Sequence, residues 1–408
     1  MRPADVDLSD PGNFLDGVTP WRMFDALRAE SPVHWQDEGP HGSGFWSVTR
    51  HADIVAVGRD PETFTSTRFT NLEEVDERQA GIRRSLLETD GPRHTALRRL
   101  LLRDFSARAV AGYETFLRGL TATTLDAALA RPDFDFVTEV AADFPINVLA
   151  RMLDVPDTQR LIDWGNQIIE NTDPEKLHAS EEYRDLPFRS PAALEVFAYG
   201  RELARRRRGG AGTDLVSRLV NQVPIDGEPL SDRDFDNYFL LLVVAGNETT
   251  RHAISHTMLA LVQHPGEAER LAAEPSLLPR AVDEFLRWAT PVYHFRRTAT
   301  RDTELGGRRI KAGDKVVMWY ASGNRDERVF PDPYRFDVRR AEAGEHLTFG
   351  KGGPHHCLGG ALARLEIRVL FEELLPRLAS IELTGEVRRV RSNFVNGIRE
   401  LPVRVTLR

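Results

Sequence analysis

The sequence predicts a mainly α-helical protein with a small β-rich part. Apolar residues recur at helical spacing through most of the stretch from Pro92 to Ala289. Strand-like runs gather instead towards the two ends, at Val33-His34-Trp35, at Phe45 to Val48 and beyond Glu304. No internal repeat, low-complexity tract or long Gly/Ser/Pro linker divides the 408 residues, so 1–408 reads as one unit.

Taken in order, the two N-terminal strand candidates are separated by DEGPHGSG, and a helix begins near Arg50. Pro92 opens a helix that carries His94 and Arg98 at i and i+4. Ser231 can cap a helix that runs to about Gln263, where His264-Pro265-Gly266 stops it. At about 30 residues that helix is roughly 45 Å long. Its segment Phe239 to Ala245 is apolar all round, which puts it in the middle of the core. Between Glu304 and Trp319, ELGG, RRI, KAGD and KVVMW read as two strands around a turn. An irregular stretch rich in Pro, Asp and Arg, Asn324 to Phe349, leads into FGKGGPHHCLGG, then a last helix and short strands to Arg408.

Composition narrows the function classes. With 41% hydrophobic and 28% charged residues the chain is that of an ordinary soluble globular protein. One Cys cannot form an internal disulfide, which suits a reducing compartment. The N-terminus lacks a basic, then apolar, signal pattern, and the longest strongly apolar run, Phe239 to Ala245, is far short of the roughly 20 residues of a membrane span. A cytoplasmic location without membrane contact is expected. A net charge of −8 argues against nucleic acid as a partner, and the basic run Arg205 to Arg208 reads as a solvated helix end.

The chemistry centres on Cys357, in FGKGGPHHCLGG. A thiol at the first turn of a helix faces unpaired N–H groups and the positive end of the dipole, which favour thiolate. Leu358, Leu362, Leu365 and Val369 continue the helix as a buried stripe. Gly359 lets backbone approach the sulfur, and Gly350, Gly352 and Gly353 permit a tight, partly left-handed approach. Such a thiolate suits a metal or nucleophilic chemistry, and an inert buried Cys remains the bland alternative. Zinc is a poor fit, because His355, His356 and Cys357 are adjacent and cannot all reach one tetrahedral ion without strain. No Lys-Ser or Lys-Thr follows at phosphate-loop spacing.

FGKGGPHHCLGG resembles the heme-binding loop of the cytochrome P-450 monooxygenases, in which a Cys thiolate is the proximal iron ligand. That family's pattern has Phe-Gly, a further Gly, a His or Arg two residues before the Cys, and Leu-Gly or Ile-Gly after it. The resemblance implies heme b as cofactor, Cys357 as axial ligand of its iron, His355 facing a propionate and Phe349 shielding the sulfur, with Gly350 and Gly359 in the loop. One departure is that Phe349 stands eight residues before Cys357, where seven is the commoner spacing. The implied fold is a triangular helical prism around a long oxygen-binding helix.

Other motifs follow in the family's order. Glu284 and Arg287 in AVDEFLRWATP match its structural Glu-x-x-Arg pair, and FPDPYRFDVRR offers Arg339 as the third member. LLLVVAGNETTR, residues 240 to 251, resembles the oxygen-binding helix. Ala245 and Gly246 would sit over the heme, with Gly246 loosening the helix, Glu248 the proton source and Thr249 the hydroxyl of the relay. The bland alternative for Thr249 is a bond back to the Ala245 carbonyl in a merely bent helix. His94, Arg98 and Arg297 match the propionate-binding cations, with Arg296 the alternative to Arg297.

The resemblance covers nearly the whole chain. AGNETTR, RWATP, the lengthened GGPHHCLG loop and SNFVNGIRELPVRV are most similar to an actinobacterial group that oxidises steroid side chains and methyl-branched lipids. It implies a heme-thiolate monooxygenase acting on a hydrophobic small molecule. Its electrons would come from a separate ferredoxin and an NAD(P)H-dependent ferredoxin reductase, met by Lys351, Arg99, Arg103 and Arg364. Family position directs substrate to Phe64 to Glu88, Trp164 to Arg189, Val243 to Gly246, Val292 to Phe295 and Asn393 to Asn396. These stretches hold Arg68, Glu73, Glu74, Arg83, Tyr293, His294, Asn393 and Asn396, polar residues that favour tailoring of a secondary metabolite, peptide or polyketide, over a steroid or branched lipid. Further alternatives are a non-hydroxylating oxidation, such as decarboxylation or ring coupling, and a non-catalytic heme sensor.

Overall fold

The computed structural model describes residues 1–39, 42–170, 181–183 and 185–408. Its axis is the helix Asp232–Gln263. Ser231 caps it, accepting from the Asp234 N–H while the Asp234 carboxylate takes the Ser231 N–H, and His264-Pro265 ends it, as the capping box and the proline foretell. Phe239 and Val243 are fully buried, because helices pack against both sides of this segment. On one side lie Asp143–Leu153, Thr158–Glu170 and Ala192–Arg207, and on the other Leu278–Ala289 and Gly360–Leu374. Gly200 lets Phe239 press against its helix, since a Cβ there would fall 2.7 Å from the ring.

The β-rich part is a five-stranded mixed sheet in the order Val33–Gln36, Phe45–Val48, Lys315–Trp319, His294–Ala299, Phe64–Thr65. The first two strands, both expected, pair antiparallel, with Trp35 opposite Trp46. The reading of residues 304 to 319 as two strands around a turn is corrected to three strands. Thr303–Leu305 and Arg308–Ile310 make a small separate hairpin. Lys315–Trp319, buried at every position, joins the main sheet between Phe45–Val48 and His294–Ala299. Its continuous apolar run fits a strand covered on both faces. Asp133–Asp135, Pro402–Leu407 and Leu378–Leu383 form a second sheet.

The Glu284–Arg287 pair is wholly buried, with Nε–Oε2 at 2.6 Å and Nη2–Oε1 at 2.8 Å. Its third member is Arg340, whose Nε lies 3.2 Å from Glu284 Oε2 and whose guanidinium also donates to the carbonyls of Pro331, Asp332 and Arg335. Arg339, the expected member, points outward to the exposed Glu274. In an irregular segment two adjacent arginines face opposite ways, and only the packing decides which turns in. In the basic run, Arg205 and Arg206 are solvated, whereas Arg207 turns in to Asp214 and the carbonyls of Leu153 and Asp154. Among the described residues no helix is long and apolar enough to cross a membrane.

Candidate active site

A cavity lies between the middle of Asp232–Gln263, the loop 349–359, the start of Gly360–Leu374, the helix Gly91–Leu101 and the strand His294–Ala299. Cys357 stands on its floor, two residues before the Gly359 N-cap of Gly360–Leu374. The thiol is surrounded by protein, and the surface that it exposes faces this cavity. Its own N–H is held by the Phe349 carbonyl at 2.8 Å, which closes the lengthened loop on itself. Gly352 has φ +91°, and a Cβ on Gly353 would come within 2.2 Å of the Gly58 carbonyl oxygen, so the loop needs glycine at both. Phe349 packs on Gly360 and carries Arg364 over its ring, 4.6 Å from the centroid. Burial pushes the Cys357 thiol up, against the opposing pull of the Gly359 and Gly360 N–H groups, Arg98 and Arg364. The helix start acts on the thiol in the expected direction, through the Gly359 and Gly360 N–H groups, and burial opposes it.

One end of the cavity collects His94, Arg98, Arg297 and His355. Burial, then His355 and Arg98, push His94 down to about 4, and its Nε2 has no protein partner. Burial likewise disfavours the charge of Arg98. Arg297 faces the cavity, while its neighbour Arg296 faces the carbonyls of Glu73 and Arg68, as alternation along a strand requires. His355 Nε2 is 2.9 Å from both Asp90 Oδ1 and Ser66 Oγ, and its ring lies 4.2 Å from that of His94. Burial would raise the Asp90 carboxyl, but hydrogen bonds from His355, Ser66 and Thr65 prevail and hold it well below the usual range. A thiol on the floor, an unpartnered His94 nitrogen and two arginines at one edge fit heme: a sulfur for the iron and cations for two propionates. The chemistry of this donor set is the test, and the residues pass it.

On the opposite wall Ala245, Gly246, Thr249 and Thr250 line the cavity. The Thr249 hydroxyl donates to the Ala245 carbonyl at 2.9 Å, so the bland geometry is present in a residue that nonetheless faces the cavity. A Cβ on Gly246 would meet Leu149 at ordinary contact distance, and the helix continues unbroken past it, so no loosening is seen there. Glu248 does not line the cavity. It is buried on the flank of the helix, paired with Arg251, with Asn247 Nδ2 at 3.3 Å from Oε1, and burial raises its carboxyl against the pull of Arg251.

Sequence reasoning missed Glu366, a fully buried carboxyl in the cavity wall that burial raises well above its ordinary value, with the Thr250 hydroxyl as its hydrogen-bond partner. The signal was available: Leu358, Leu362 and Glu366 follow at intervals of four, which places an acid on the apolar face. Asp90, which holds His355, was missed too.

None of the eight polar residues expected to anchor substrate is among the cavity-lining residues. Arg83 pairs with Glu73, Glu74 with Lys315, and the Tyr293 hydroxyl donates to Asn396 Oδ1. His294 bonds the Asn393 carbonyl, and Asn393 and Asn396 donate to the carbonyls of Leu8, Ser9 and Ala289. From the same stretches Leu86, Leu87, Ala245, Gly246, Val292, Phe295 and one polar residue, Thr70, whose hydroxyl donates to Glu88, face the cavity, beside Leu149 and Leu242. Residues 171–180 and 184 of the stretch Trp164 to Arg189 lie outside the described residues.

The chain is similar to known proteins over nearly all its length. The family model for cytochrome P450 matches residues 201–388. The methyl-branched lipid omega-hydroxylase of Mycobacterium tuberculosis (strain ATCC 25618 / H37Rv) is 39% identical, over 98% of this chain and 94% of that protein. The steroid C26-monooxygenase of Rhodococcus jostii (strain RHA1) is 37% identical over 98% of this chain and 85% of its own. A Mycobacterium marinum cytochrome P450 solved in complex with pseudoionone superposes with a TM-score of 0.89 at 39% identity, covering 98% of each chain.

Proposed function

The chain belongs to the cytochrome P450 family of heme-thiolate monooxygenases, and we propose that within it the protein hydroxylates an apolar, lipid-like molecule such as a methyl-branched lipid or a steroid side chain. The observation that carries this reading is the lining. Of the polar residues that favoured a peptide or polyketide, none lines the cavity, and all but the exposed Arg68 are held in ion pairs or hydrogen bonds elsewhere, while leucine, valine and phenylalanine face the space they were expected to fill. A cavity of that character orients its ligand by shape and apolar contact rather than by polar anchors. The names of the relatives point the same way.

In this reading Cys357 holds the iron, and His94, Arg98, Arg297 and His355 hold the propionates. When bound, heme supplies the activation of O2, one atom of which enters a C–H bond while the other leaves as water. The chain's own residues supply the rest. Leu86, Leu87, Val292 and Phe295 exclude water and press the hydrocarbon into place. The Thr249 hydroxyl, released from Ala245, orients a proton donor at the cavity wall, and Glu248 behind it is the buried acid that provides protons. The electron donor is a separate ferredoxin with its NAD(P)H-dependent reductase, docked at the exposed Arg99 and Arg103. Lys351 and Arg364, the other expected members of that patch, are engaged with Glu345 and Asp283.

Titration of the heme enzyme with a methyl-branched fatty acid, a steroid bearing its side chain and a linear peptide of similar mass tests the substrate class. The first two are expected to give the low-to-high spin shift of displaced iron-bound water and the peptide none; a shift with the peptide alone would overturn the reading. Thr249→Ala is expected to sustain NADH consumption while product formed per NADH falls by up to ~10²-fold. Unchanged coupling would remove Thr249 from the relay.

A further inference from the structure

Glu248 is the acid of the relay, yet it is only 2% exposed and faces away from the cavity. It therefore needs a way to regain each proton it gives up. Around it four polar atoms within six residues are buried without a protein hydrogen-bond partner: Asn247 Oδ1, Arg251 Nε, and both ring nitrogens of His252. An unsatisfied buried donor or acceptor is costly, and a cluster of them is where ordered water is held. Two glycines from separate elements pack closely against this cluster, where an added side chain would crowd it. A Cβ on Gly397 would come within 2.9 Å of His252 Nε2, and one on Gly165 would stand 3.1 Å from Asn247 Nδ2 and 3.6 Å from Glu248 Oε1.

His252 lies one helical turn after Glu248, with Nε2 3.5 Å from Oε2 but not aligned for a direct hydrogen bond. We propose that water fills this nest and that His252 is the positioning residue that returns a proton to Glu248. The inference rests on the reading of Glu248 as the proton source. Arg251 also touches Glu248 but, as a guanidinium, does not release a proton. An imidazole accepts at one nitrogen while it releases from the other. One N–H bond breaks at Nε2 as an O–H bond forms on Glu248, and Nδ1 takes a proton from the nest water, which draws its own from solvent. The Nδ1–H bond then breaks to water as a second water delivers a proton to Nε2, which restores the starting tautomer with no net change in protons. Burial, Arg251 and His256 all push His252 well below its ordinary value, so it works as the neutral ring. His256, the next residue on this face, is engaged with the Asn396 carbonyl at 3.0 Å.

The test uses the heme-loaded enzyme and its variants Glu248→Gln, His252→Phe and His252→Gln, each checked for an unchanged substrate-induced spin shift. In the resting enzyme the infrared band of the protonated Glu248 carboxyl is identified by its loss in Glu248→Gln. His252→Phe and His252→Gln are expected to shift that band. They should also slow proton-limited turnover on the order of 10²-fold with an enlarged solvent isotope effect, and add nothing to Glu248→Gln in the double variant. A band and a turnover unchanged in both His252 variants, while Glu248→Gln still uncouples, would overturn the role of His252. Full coupling in Glu248→Gln would instead overturn the reading of Glu248 itself.

Discussion

Cys357→Ser is expected to abolish monooxygenation and the absorption band of thiolate-ligated heme in the reduced, carbon-monoxide-treated protein, while the polypeptide stays folded. Serine matches cysteine in shape, and the side chain looks into the cavity rather than into packed core. The hydroxyl has nothing like the thiolate's affinity for iron, and the electron release that favours oxygen cleavage goes with the sulfur. Heme is expected still to bind, more weakly, through the proposed propionate partners His94, Arg98, Arg297 and His355, which line the cavity. The double variant His94→Ala/Arg98→Ala is the counterpart, losing heme content while the heme that remains keeps the thiolate band. Heme content by the pyridine method and the carbon-monoxide spectrum separate the two contributions. A Cys357→Ser protein that retained the band would remove Cys357 as ligand.

The second large effect is on stability. Arg340→Ala and Glu284→Ala each destabilise the protein by about 3–5 kcal/mol, because each leaves buried charge without its partner. Arg339→Ala changes stability by less than about 0.5 kcal/mol, since its pair with Glu274 is half in solvent on both sides. Urea unfolding of the three variants distinguishes the two arginines. Equal losses at 339 and 340 would contradict the buried triad.

The predictions at Cys357 and Arg340 differ in how far the sequence foretold them. The loop FGKGGPHHCLGG, the cap at Ser231, the helix after Pro92 and the stop at His264-Pro265 were legible because each is a local signal: a glycine demanded by a turn, a hydroxyl demanded by unpaired N–H groups, a proline that cannot continue a helix. The cofactor site was legible through the resemblance of FGKGGPHHCLGG to a heme-binding loop, which also implied the distant cations His94, Arg98 and Arg297. The strand Lys315–Trp319 was harder. Its apolar run carries no period of its own, and its separation from the neighbouring hairpin follows from partners far away in sequence.

What the sequence determined by itself was the inventory and the local shapes: a mainly helical chain, one thiol before a helix, an acid and a hydroxyl on a long apolar helix, and, by resemblance, cations for the propionates. Only the tertiary structure decided which way side chains face. It turned Arg340 inward and Arg339 outward, set Arg297 towards the cavity and Arg296 away, moved Glu248 behind the wall and brought Glu366 into it. It also turned the polar residues of the expected substrate stretches into structural partners and left an apolar cavity. The physical reason is common to all of these. A polar group removed from water must find a partner, and the partners, Glu284, Lys315, Asn396 and the carbonyls of Leu8 and Ser9, come from segments far apart in sequence that only folding brings together.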